Sequence, residues 1–83
     1  MSNTKFISID EVLEKTTFGR SSLYAKVSKG LFPKPVKVGS RKIAWPQSEV
    51  DQMMDFYLST TNEEDTKSFV TKIEKIRTER SIQ

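Results

Sequence analysis

The chain contains no cysteine and no histidine. Disulfides and thiolate metal sites are therefore excluded, and so are the commonest acid–base residue and the commonest metal ligand. Carboxylates alone still bind Mg²⁺ or Ca²⁺, but no acidic loop with the spacing of such a site occurs. The three glycines are isolated and form no phosphate-cradling loop. These absences argue against an enzyme and imply no cofactor. No apolar run approaches the roughly 20 residues that span a bilayer. Met1 to Lys5 lack the apolar core of a secretory signal. A cytoplasmic protein without a membrane partner is expected, and its 83 residues suit one small domain with a compact core.

Acids are missing from the middle of the chain. Between Thr16 and Ser48 stand Arg20, Lys26, Lys29, Lys34, Lys37, Arg41 and Lys42, with no Asp or Glu among them. The other seven cations share the flanks with all eleven acids, so the middle carries +7 and the flanks −4. An ordinary solvated surface would intersperse the signs. Segregation of this kind suits a surface facing a polyanion.

The order of elements follows from local signals. Phe6 to Ser8 read as a short strand or an extended lead-in. Ser8 and Glu11 have capping-box spacing and open a helix over about Ile9 to Lys15 that buries Val12 and Leu13 and stops at Thr16 and Thr17. A second helix starts near Gly19 or Arg20, with Phe18 and Leu23 spaced as a hydrophobic staple. Gly30 and Pro33 stop it. Two short helices with so brief a connection make a helix-turn-helix. From Pro33 to Trp45 the period becomes two. Val36 and Val38 alternate with Lys37, and Ile43 and Trp45 with Lys42 and Ala44, around a tight Gly39-Ser40 turn, predicting a hairpin with one apolar and one cationic face. Pro46 opens a further helix, with Val50, Met53, Met54, Tyr57 and Leu58 as its buried stripe. Thr61 and Glu64 offer a second capping box. A last helix carries Phe69, Val70, Ile73 and Ile76 on one narrow face and ends near Arg80. The fold class is mainly α with a small β-hairpin: a winged helix-turn-helix over residues 1–58 and a C-terminal helical extension over 59–83.

The run from Thr16 to Val50 resembles the AlpA family of phage and prophage regulators. The matching residues are Arg20-Ser21-Ser22-Leu23-Tyr24, Gly30, Phe32-Pro33-Lys34-Pro35, Gly39-Ser40-Arg41, Trp45 and Ser48-Glu49-Val50, in order and at the family's spacing. No one of these motifs is specific; the ordered set is. The likeness extends over about Phe6 to Leu58. Thr17 departs from it where the turn usually has Gly, and Gly19 where a capping Ser is usual. The resemblance implies a winged helix related to excisionases and, more distantly, to MerR-type DNA-binding domains. Its partner would be double-stranded DNA, read in the major groove by helix 20–29 and gripped at the backbone or minor groove by the 36–45 wing.

Carried onto this sequence, Arg20 is the candidate reader of guanine, because its planar fork satisfies O6 and N7 together. Ser21 and Ser22 either bond bases or phosphates from the helix N-terminus or are plain first-turn residues. Tyr24 has two readings, a core ring with its hydroxyl on a phosphate, or no contact at all. Lys26 and Lys29 suit phosphates. In the wing, Ser40 and Arg41 form the tip, Arg41 being the candidate for a narrow minor groove, and Lys37 and Lys42 flank it as phosphate anchors. Lys34 is read as solvated. Trp45 suggests base stacking, but its alternation with Ile43 favours the core, as for Phe32.

The leading functional reading is a transcriptional regulator of a prophage or integrative element, nucleoid-associated through DNA in a bacterial cytoplasm, with integrase or RNA polymerase as further partners. An excisionase that bends attachment-site DNA needs the same helix and wing. A winged-helix protein–protein adaptor is the alternative from another class. The C-terminal stripe either packs on its own domain or pairs with another chain, an interaction helix being the favoured reading; self-association would also arise cooperatively on DNA.

Overall fold

In the computed structural model, which describes residues 5–59 and 62–81, four helices surround a three-stranded antiparallel sheet. The elements run β1 (Phe6–Ile7), α1 (Ile9–Thr16), α2 (Arg20–Ser28), β2 (Val36–Lys37), β3 (Ile43–Pro46), α3 (Gln47–Ser59) and α4 (Glu63–Ser81). This is a winged-helix-like fold carrying a C-terminal helix, as the sequence implies.

Each boundary has a local cause. Ser8 and Glu11 close the expected capping box over α1. Thr17 ends that helix in the left-handed conformation, at φ 61° and ψ 14°. Gly19 caps α2 without a side-chain hydrogen bond. At its far end Leu31 N–H bonds the Lys26 carbonyl and Gly30 N–H the Val27 carbonyl, at 2.8 and 3.1 Å. This Schellman pair requires the positive φ of Gly30, 77°. The expected Thr61–Glu64 capping box involves Thr61, outside the described residues. Asn62 Oδ1 instead accepts from the Glu64 and Asp65 amides, at 2.8 and 3.3 Å.

β1 is a strand, pairing with β3 through Phe6↔Pro46 and Ile7↔Trp45. β3 is thus central, with β2 on its other edge. The hairpin departs from the expected register. Val36 opposes Ala44, Lys37 opposes Ile43, and Val38 N–H bonds the Lys42 carbonyl at 2.9 Å. The turn therefore spans Gly39, Ser40 and Arg41, one residue more than a Gly39-Ser40 pair. Because side chains alternate with a period of two, one extra residue flips one strand's faces relative to the other. Lys37 shares a face with Ile43, whereas Val36 and Val38 share the opposite face with Ala44 and Lys42. Ala44 is buried and Val38 exposed, so the expected division into an apolar and a cationic face does not hold.

The core gathers Ile7, Val12, Leu23, Phe32, Trp45, Val50 and Met53 from α1, α2, the α2–β2 connection, the sheet and α3. Trp45 is fully buried, and its Nε1–H donates to the Pro33 carbonyl at 2.8 Å. Burial of an indole with its donor satisfied is a core role, which settles Trp45 against base stacking. Phe32 meets it edge-on at 6.3 Å. Leu58 departs from the expected stripe and is 88 % exposed. It lies next to the end of α3, where α4 stacks Phe69 on Phe56, centroids 4.3 Å apart, and leaves Leu58 outside.

The C-terminal helix serves its own chain. Val70 and Ile73 enter the core, while Ile76 stays about half exposed. Glu74 Oε2 accepts the backbone N–H of Lys34 at 2.9 Å, tying α4 to the root of the hairpin. A groove of about 670 Å³ separates Ile73, Ile76 and Arg77 of α4 from Phe6, Val36 and Pro46 on the sheet. No helix among the described residues is long and apolar enough to cross a membrane.

Candidate nucleic-acid interface

α2 buries Leu23 completely and half-buries Val27. The remainder of its first two turns, Arg20, Ser21, Ser22, Tyr24 and Ala25, is exposed. The two buried positions are four apart, so one narrow stripe anchors the helix and its opposite side stays open. Tyr24 is 44 % exposed, with its ring outside the core cluster. Lys26 is half-buried, its Nζ lying 5.0 Å from the centroid of the Phe18 ring. That cation–π contact packs its stem against the turn and fixes where the ammonium sits. Lys29 is the exposed C-cap residue.

The second group lies on the hairpin. Ser40 and Arg41 form its exposed tip, and Lys37 and Lys42 are exposed beside it. The register directs these two lysines to opposite faces of the ribbon. Along the chain, buried Leu31, Phe32 and Pro33 lie between the hairpin group and α2. The structure thus brings the expected residues together as two sets, one along α2 and one around the hairpin tip.

Of the seven mid-chain cations, among the described residues only Arg20 forms an ion pair. Its Nη2 lies 3.1 Å from Oδ1 of Asp10, both side chains being exposed. The acid-free run in sequence is therefore not acid-free in space, because the turn folds the first turn of α1 back beside the start of α2. Asp10 carries no signal of its own in the sequence, where a carboxylate in a first helical turn is adequately explained by the helix dipole. Glu74 and Arg77, which hold the hairpin root and Glu49, likewise carry no local signature.

The sequence that builds this fold has relatives among known proteins. Residues 5–58 match the family described as Prophage CP4-57 regulatory protein (AlpA). The chain belongs to that family. The AlpA match spans β1 through α3 and stops before α4. The chain is also similar to the uncharacterized protein ORF88 of Enterobacteria phage P4, 36 % identical over 50 residues, which cover 60 % of this chain. The matched segment spans 57 % of the length of that relative. The two departures from the AlpA pattern, Thr17 and Gly19, are the left-handed residue and the N-cap of the turn.

Proposed function

We propose that this AlpA-family protein is a sequence-specific, double-stranded DNA-binding regulator of a prophage or integrative element. One observation carries the reading: the first turns of α2 are open to solvent along the side that bears Arg20, Ser21, Ser22 and Tyr24. A helix held to its domain by a single buried stripe, with short polar residues and an arginine at its free N-terminal end, has the form that enters a major groove.

In this reading Arg20 takes guanine through its planar fork, and Ser21, Ser22 and Tyr24 bond neighbouring bases or phosphates. Lys26 and Lys29 hold the backbone. The tip, Ser40 and Arg41, approaches the adjacent minor groove. Lys37 and Lys42, on opposite faces of the ribbon, reach phosphates of the two flanking strands. Residues 1–58 are the DNA-binding unit and 59–83 an extension that braces it. One such module buries on the order of 600–1,000 Å², so several copies on adjacent sites supply useful affinity. The protein acts in the bacterial cytoplasm, at the nucleoid through its DNA.

The test is selection of duplex sites from a random pool, followed by mobility shifts with Arg20→Ala and Arg41→Ala. A regulator yields a defined site, loses preference for it with Arg20→Ala and binds every duplex more weakly with Arg41→Ala. An adaptor yields none, and both variants behave as the parent. Footprints on the element's own promoter rather than its attachment sites separate transcriptional control from excision.

A further inference from the structure

Arg20 has a neighbour whose role differs from that of every cation around it. Asp10, in the first turn of α1, places Oδ1 3.1 Å from Arg20 Nη2. The pair is exposed, with 81 % of the Asp10 side chain and 56 % of the Arg20 side chain open to water. An ion pair this exposed contributes little to stability. Nor is the carboxylate required by the α1 cap, which Ser8 and Glu11 already close.

We infer that Asp10 is a positioning residue for base recognition, holding the Arg20 guanidinium for guanine and weakening it for phosphate. This rests on the reading of α2 as the base-contacting helix. The guanidinium has five N–H donors in a fixed fork, and the recorded contact takes one of them, at Nη2. The donors that remain are enough for the two acceptors on the major-groove edge of guanine. An unrestrained arginine at a helix start samples many rotamers, and fixing it before binding removes that entropic cost from the complex. The carboxylate also offsets part of the charge that would draw Arg20 to the backbone, and it repels phosphates itself. A residue meant as a phosphate anchor would be poorly served by such a neighbour. A base reader is well served, since the penalty falls on every duplex and the gain only on the one with guanine in register.

The two effects of Asp10 have opposite signs, which makes them separable. With the duplex selected by the protein, the same duplex with the Arg20-dependent G·C changed to A·T, and a random-sequence duplex, Asp10→Ala is expected to bind the random duplex about two- to fivefold tighter. Its preference for G·C over A·T at that position is expected to fall about fivefold or more, a bidentate arginine–guanine contact being worth roughly five- to over a hundredfold. Asp10→Asn, which keeps an acceptor oxygen, is expected to restore part of the preference while retaining the tighter random binding. Thermal unfolding of both variants close to that of the parent shows that the fold is kept. If Asp10→Ala leaves the base preference intact while Arg20→Ala abolishes it, Asp10 is merely a surface charge; the inference fails and the DNA-binding reading stands. If affinity drops equally for all three duplexes, the role is structural and the inference fails likewise. Should no duplex be selected and Arg20→Ala change nothing, both readings fall.

Discussion

Arg77 holds Glu49 by both carboxylate oxygens, Nε donating to Oε2 at 3.2 Å and Nη2 to Oε1. Glu49 lies within the AlpA match and is buried; Arg77 lies beyond it, on α4. A buried carboxylate of the matched fold thus depends on a helix that the match does not include. Removing one partner leaves a desolvated charge without compensation. Arg77→Ala is expected to cost about 2–4 kcal/mol, a large part of the roughly 5–10 kcal/mol available to a domain of this size. Urea titration followed by circular dichroism measures it. A double-mutant cycle with Glu49→Gln should return a coupling of more than about 1 kcal/mol.

The turn between α1 and α2 is a place where the chain can be made more stable. Thr17 adopts φ 61°, a strained geometry for a β-branched residue. Thr17→Gly is expected to stabilise by about 1 kcal/mol, relief of that strain outweighing the added freedom of the unfolded chain. Gly19 sits in extended N-cap geometry, with nothing within 4 Å of where a Cβ would stand. Gly19→Ser should add a few tenths of a kcal/mol through capping and about 0.5 kcal/mol through the unfolded state. Lower midpoints in chemical denaturation for either variant would contradict this account.

Alkaline stability carries the signature of Tyr57. Burial pushes its phenol up to about 12 from the ordinary 10.0, and its hydroxyl donates to the Leu31 carbonyl at 3.0 Å. The folded chain therefore holds this proton more tightly than the unfolded chain. The associated stability is complete below pH 10 and is lost as the pH rises towards 12. Tyr57→Phe should cost about 1 kcal/mol at neutral pH, and the difference from the parent should shrink over that alkaline window. A constant difference from pH 8 to 12 would show that the phenol titrates normally.

Salt reports on the proposed interface. With about 4–6 phosphates neutralised, log K should fall against log salt with a slope of about −4 to −5. Arg41→Ala should reduce the steepness by about 1 across all sequences. A flat dependence is incompatible with the proposed contacts.

Where the signals were local, the sequence was readable. The Ser8–Glu11 box, the Gly30 stop and the existence of a hairpin between Val36 and Trp45 are each set by neighbouring residues, and each is present in the fold. The hairpin register was not legible, because it turns on whether Arg41 belongs to the turn or to the strand, a difference of one residue that composition does not encode. Leu58 fits a helical stripe perfectly well and is nonetheless exposed, since what lies beyond α3 decides its burial. The same holds for Asp10 with Arg20 and for Glu49 with Arg77. Contacts between residues 10 or 28 apart arise from how helices are docked, and no spacing rule reaches them.

The chain's one tryptophan sits where the hairpin meets the helices. Its emission is thus a native optical gauge of wing seating. Shielded from water, the indole should fluoresce toward the blue and resist aqueous quenchers, and it should red-shift as soon as the ribbon lifts from the body. Nucleic acid bound at the outer surface would leave that colour unchanged, so any spectral shift on titration with a duplex would signal movement of the wing rather than stacking on a base.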